Sequence, residues 1–189
     1  MQTRFLLASS LLLGLVACGD DPLTYSAPVG INLKAKSSDT VNNVVSDDKG
    51  ITTESGNPYG AFVSDAQREL GGRDPAVIEV DGVELFLGAS STGVTTLGEI
   101  FDGNVEVLFQ MNDTNNSYPV AHGTVAATTG GGPFALSIDF AGEDVPDIDF
   151  AKMLGGSFKV IARGPAAADF TTKGADADLQ VTFTFAAFE

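Results

Sequence analysis

Only one histidine, His122, and one cysteine, Cys18, occur among 189 residues, and this narrows the chemistry before any fold is considered. Nucleophilic catalysis of the Ser–His or Cys–His type needs a base held against its nucleophile. His122 lies inside "YPVAHGTVAAT", a stretch that reads as a strand, and no G-x-S-x-G motif accompanies it. The expectation is a strand histidine satisfied by a neighbour. A zinc or copper centre built from His and Cys fails on the count of ligands. Among 25 Asp and Glu, close acidic pairs arise by chance, so no glycosidase-like dyad can be singled out. Gly130-Gly131-Gly132 is followed by Pro133 and a strand, with no lysine and no helix start, and so reads as a turn instead of a phosphate loop.

Carboxylates are the one abundant ligand type, and hard cations take oxygen ligands. "GEDVPDID" gathers Glu143, Asp144, Asp147 and Asp149, which makes calcium the cation to consider, although the spacing is not that of an EF-hand. "NVVSDDKG" and "GADAD" are weaker candidates. The competing account is helix capping: Asp147 as the cap, with Asp149 in the first turn meeting the positive end of the helix dipole. No catalytic residue, metal ligand or cofactor is therefore assigned, and the chain is expected not to be an enzyme.

The formal net charge is −15, with 10 Lys and Arg. Such a surface is repelled by phosphate backbones and anionic headgroups, which argues against nucleic acid as a partner. With no Trp and three Tyr, the planar aromatics of a glycan-binding face are scarce, and most of the Phe fall on alternating core positions.

The elements that must position these residues are mostly strands. Val29, Ile31, Leu33 and Ala35 alternate with polar partners. Residues 37–59 read as a long loop or weak hairpin. "FVSDAQRELGG" reads as a short helix, with Ser64 and Gln67 at capping-box spacing and Gly71 in the left-handed position. In "VIEVDGVELFL", Asp81-Gly82 predicts a two-residue hairpin turn, at the cost of setting Glu79 against Glu84; one bulged strand is the alternative. Thr96 and Glu99 form a second capping box before "LGEIF". Strands follow over 105–111, "YPVAHGTVAAT" with Pro119 at its start or on an edge, Phe134–Phe140, "SFKVIAR" and "LQVTFTFAAF". After the acidic loop "GEDVPDID", "FAKML" supplies a third short helix, stopped by Gly155-Gly156. No helix is long enough for a parallel crossover. The class implied is all-β: an antiparallel sandwich of seven to eight strands, Ig-like or jelly-roll-like, with two or three short helices in the connections.

One internal echo stands out. "TLGEIFDGNVEVLFQ" at 96–110 aligns on "DFAKMLGGSFKVIAR" at 149–163 with charges reversed, which predicts related places in two sheets, or adjacent strands with Glu106 near Lys159.

The amino terminus fixes the address. Met1 to Arg4 is a short basic lead, and the apolar run Phe5–Val16 is too short to span a membrane, which takes about 20 residues. It ends in Leu15-Val16-Ala17-Cys18, followed by Gly19-Asp20-Asp21-Pro22. This order resembles the lipobox of bacterial lipoproteins. The resemblance implies that residues 1–17 are a removed signal peptide and that the Cys18 thiol carries the lipid anchor, the new amino terminus being acylated as well. Each buried CH₂ contributes about 0.8 kcal/mol, so two or more chains hold stably. Residues 18–27 then form the lipidated cysteine and a tether reaching roughly 30 Å at about 3.3 Å per residue, and 28–189 form a single β-sandwich domain. By the sorting rule of the lipoproteins it resembles, Gly19 after the cysteine, with Asp20 one place later, implies the outer membrane of a bacterial envelope. The function expected is a non-catalytic, lipid-anchored structural or protein-interaction module. Its partners would be the membrane through the lipid, and an envelope protein or surface ligand. The alternative is a cell-surface binding or adhesion module for calcium, glycan or another cell surface.

Overall fold

A computed structural model describes residues 23–189; Cys18, the expected signal peptide over 1–17 and most of the expected tether lie outside the described residues. In chain order the strands are β1 (Thr24–Lys36), β2 (Val44–Ile51), β3 (Val77–Leu87), β4 (Gly103–Met111), β5 (Ser117–Val125), β6 (Phe134–Ile138), β7 (Phe158–Pro165) and β8 (Asp176–Phe188). Helix α1 (Pro58–Glu69) joins β2 to β3, and α2 (Asp147–Leu154) joins β6 to β7.

The pairing is nested and antiparallel: β1 with β8, β2 with β7, β3 with β6, β4 with β5. The chain is thus one long ribbon folded back at the β4–β5 turn. Rolling that ribbon lays β3 along β8 and β4 along β7, which gives the order β1-β8-β3-β6-β5-β4-β7-β2. This is the jelly-roll arrangement of two four-stranded layers. Strand β6 joins the layers, pairing with β3 through Phe134–Leu136 and with β5 through Ser137 and Ile138.

Because every neighbouring pair is antiparallel, β1, β3, β5 and β7 run one way and the others return. The two ends of the roll therefore differ. One carries α1, α2, the β4–β5 turn and both Leu23 and Glu189, whose N–H donates to the Leu23 carbonyl. The other carries the β1–β2, β3–β4, β5–β6 and β7–β8 connections.

The inward sides of both layers supply one core. Phe109 sits at its centre, with ring centroids 5.1 Å from Phe158, 5.4 Å from Phe140 and 5.5 Å from Phe183. Helix α1 closes one end by burying Tyr59, Phe62, Val63 and Ala66. Tyr59 meets Phe185 edge-on at 5.3 Å and donates its hydroxyl to the Met153 carbonyl at 3.1 Å.

Several expectations need correction. Asp81-Gly82 is no turn: β3 runs straight through, and the register against β8 shifts between Val80 and Gly82, leaving Asp81 as the extra residue of a β-bulge. Glu79 and Glu84 then lie on one strand opposite Ala186 and Thr182, and the feared like-charge pair does not exist. Helix α1 begins at Pro58, capped by Asn57, whose Oδ1 accepts the Tyr59 N–H at 3.0 Å; Ser64 lies within it. The stretch 37–59 contains β2, an edge strand with a polar centre. Strand β1 starts at Thr24, so residues 24–27, expected to be tether, belong to the sheet. Pro119 lies in an interior strand beside a bulge at Val120, just before the pairing with β6 begins. Ile138, which alternates with Leu136 and Phe140, is exposed where those two are buried. The echoing segments do enter adjacent strands, but antiparallel, so their helices lie at opposite ends and Glu106 faces Arg163, not Lys159.

Candidate functional site

The most developed polar cluster joins α2 to the β4–β5 turn. Pro146 caps α2 without a side-chain bond, which puts Asp149 in the first turn facing inward, where it is fully buried. Its carboxylate accepts three side-chain hydrogen bonds: Tyr118 hydroxyl at 2.6 Å, Asn116 Nδ2 at 2.7 Å and Thr114 Oγ1 at 2.9 Å. Burial opposes ionisation, yet these three donors, with Lys152 nearby, hold the carboxyl below its ordinary value. Burial and the bond to Asp149 push the Tyr118 hydroxyl up to about 12. Lys152 Nζ also bonds Asp113 at 3.0 Å, a second tie between the helix and the turn. A carboxylate with its acceptors occupied by three donors is a structural clasp.

The other carboxylates of the acidic loop lie apart from this clasp. Asp149 points into the protein while Glu143, Asp144 and Asp147 are exposed. Among the described residues, no three His, Cys, Asp or Glu side chains converge as a metal site.

His122 Nδ1 lies 2.7 Å from Asp139 Oδ2 on the exposed side of β5, as the neighbour-satisfied reading expects. Cross-strand, it faces Glu106 on β4 and Ser137 on β6. Glu106 in turn bonds Arg163 at 3.2 Å, so a polar row crosses the layer. Among the described residues no hydroxyl hydrogen-bonds to His122.

The capping box at Thr96 and Glu99 is present. Glu99 bonds Lys173 at 2.8 Å and the Thr95 N–H at 2.7 Å, and these partners hold its carboxyl at about 2. The glycine triplet offers carbonyls, not amides: Gly130 and Gly131 oxygens accept the Leu97 and Leu87 N–H groups. It is a turn that ties two connections together.

No family model matches the chain, and no curated protein matches it. Among solved structures, that of Desmodium yellow mottle tymovirus is similar over 100% of this chain and 92% of its own, at 13% identity and a TM-score of 0.38. That of Cocksfoot mottle virus is similar over 99% and 94%, at 10% identity and a TM-score of 0.28. These are distant likenesses, and nothing about the role of this chain follows from them.

Proposed function

We propose that the chain is a non-catalytic bacterial envelope lipoprotein, anchored through Cys18 in the outer membrane, whose jelly roll serves as a structural or protein-interaction module. The observation that carries the reading is the order Leu15-Val16-Ala17-Cys18 at the end of a short apolar run. The start of β1 at Thr24 supports a close tether: residues 19–23 span at most roughly 17 Å at about 3.3 Å each. Leu23 shares its end of the roll with α1 and α2, which supports an orientation with the four opposite connections facing away from the bilayer. The three donors that occupy the Asp149 carboxylate support a structural role for the cluster between α2 and the β4–β5 turn.

Mass spectrometry of the chain purified from bacterial membranes tests the anchor. The expected product begins at Cys18 and carries diacylglycerol and an acylated amine, and Cys18→Ser leaves residues 1–17 attached. An unmodified Cys18 in the membrane fraction sinks the reading.

A further inference from the structure

The turn at which the ribbon folds back carries a repeated motif. Asn112-Asp113-Thr114 and Asn115-Asn116-Ser117 each have the Asn-x-Ser/Thr order of an N-glycosylation acceptor, and no other asparagine in the chain has it. Such a site needs an amide that can stand in solvent once it carries a sugar, and a hydroxyl two places on that is free to be read.

The fold separates the two copies. Asn112 is half-buried and donates Nδ2 to Ser157 Oγ at 3.3 Å, while the hydroxyl of its motif, that of Thr114, is engaged by Asp149 at 2.9 Å. A sugar on Asn112 would break the first bond, and reading the Thr114 hydroxyl would break the second. Asn115 and Ser117 are both exposed. Among the described residues neither of their side chains makes a hydrogen bond; backbone alone holds them, through the Asn115 N–H to the Met111 carbonyl at 3.1 Å and the pairing of Ser117 with Gln110. Asn116 between them is pinned to Asp149 at 2.7 Å, so the turn keeps its shape while its neighbours stay free. Asn115 has φ 56, in the left-handed region, where asparagine is tolerated but glycine would serve the turn as well. Asp113, two places ahead, is exposed and gives the segment a carboxylate for a cationic side chain of a transferase to hold.

We propose that Asn115 is a glycosylation site, its Nδ2 accepting an oligosaccharide from a lipid-diphosphate donor as the chain crosses the bacterial inner membrane. The amide nitrogen attacks the anomeric carbon of the donor. A C1–N bond forms, the C1–O bond to the diphosphate breaks, one amide proton passes to a base of the transferase, and the lipid diphosphate leaves. The Ser117 hydroxyl and the Asp113 carboxylate hold the segment on the transferase, and the finished glycan projects into solvent without disturbing the bonds to Asp149. The inference rests on the export half of the envelope reading, since only a chain moved across that membrane meets such a donor.

The test is a peptide map of the chain purified from its own bacterial membranes. Endoproteinase Glu-C, cutting after Glu106 and Glu143, releases the fragment 107–143 with both motifs. Mass spectrometry with electron-transfer fragmentation then reads which asparagine carries added mass. A hexose- or N-acetylhexosamine-containing series is expected on Asn115 and none on Asn112. Ser117→Ala, which removes no hydrogen bond of the fold, and Asn115→Gly, which suits the left-handed φ, should each abolish it, with circular dichroism confirming that both variants are folded. Thr114→Ala ends the first motif and should leave the sugar in place, and Asp113→Asn should lower its occupancy several-fold. An unmodified wild-type fragment, sugar on Asn112, or sugar retained in Ser117→Ala overturns the proposal. The Cys18 fragment is read in the same digest: lipid there beside a bare Asn115 sinks the glycan alone, and a bare Cys18 beside a glycosylated Asn115 sinks the anchor alone.

Discussion

The Tyr118 hydroxyl, near the start of β5, donates to Asp149 Oδ2 in α2 at 2.6 Å, across a separation of 31 residues. With Asn116 and Thr114 it anchors the helix to the turn at which the whole ribbon folds back. Asp149→Ala leaves three donors without their acceptor and should cost about 3 kcal/mol in urea unfolding, against about 1 kcal/mol for Tyr118→Phe. The carboxyl is depressed in the folded state. Its contribution is therefore present above the unfolded value near 3.9 and lost as pH falls through the lower folded value. Stability of Asp149→Asn should fall less steeply than wild type below about pH 4. Parallel acid-unfolding curves for the two proteins would refute this.

Phe109 is the aromatic about which both layers pack, with Phe140, Phe158 and Phe183 around it. Truncation to Ala leaves a cavity that the surrounding strands cannot close, at a cost of about 4 kcal/mol. Thermal melting followed by near-ultraviolet circular dichroism reads it; a loss under about 1 kcal/mol would mean that this centre is loosely packed.

A Cβ on Gly142 would stand 2.0 Å from the Ile78 carbonyl oxygen, in the connection whose N–H is held by Glu79 Oε2 at 2.8 Å. Gly142→Ala must push this segment off β3 and should cost about 3 kcal/mol. Gly50→Ala, where a Cβ meets nothing within 4 Å, should leave the denaturant midpoint where it is. Equal midpoints in the two variants would show that the 141–145 segment yields freely.

The inward residues were largely legible because alternation survives whatever the strands pair with: Val29 to Ala35, Val105 to Met111, and Phe183 and Phe185 of β8 all face the core. What alternation cannot separate is a bulge from a turn. Val80 and Val83 both point inward with Asp81-Gly82 between them, and a two-residue hairpin demands the same set. Strand β2 was hidden because "SDDK" breaks its pattern; Asp47 and Lys49 occupy inward parity at an edge, where solvent reaches them. The start of α1 was signalled by Asn57-Pro58, a cap followed by proline, but Gly60 reads as a breaker. It is glycine because a Cβ would fall 2.8 Å from the Thr53 carbonyl. The Asp149 clasp had no local signal: Thr114 and Asn116 come from the β4–β5 turn and Tyr118 from the start of β5, all more than thirty residues away, and only the fold brings them together.

The acidic loop permits a direct test of chemistry against sequence. By composition, Glu143, Asp144, Asp147 and Asp149 are a ligand set for calcium. In the fold, Asp149 is spent on Tyr118, Asn116 and Thr114, and the other three carboxylates face solvent. A cation there would have to compete with three hydrogen bonds for Asp149, or settle for ligands that do not converge. Millimolar calcium should therefore leave the melting temperature within about 1 °C of its value in EDTA, since a ligand at 100 times its Kd stabilises by about 2.7 kcal/mol and would raise it by several degrees. A rise of that size, lost in Asp147→Asn, would show that the loop rearranges around the ion and that Asp149 exchanges its clasp for a metal.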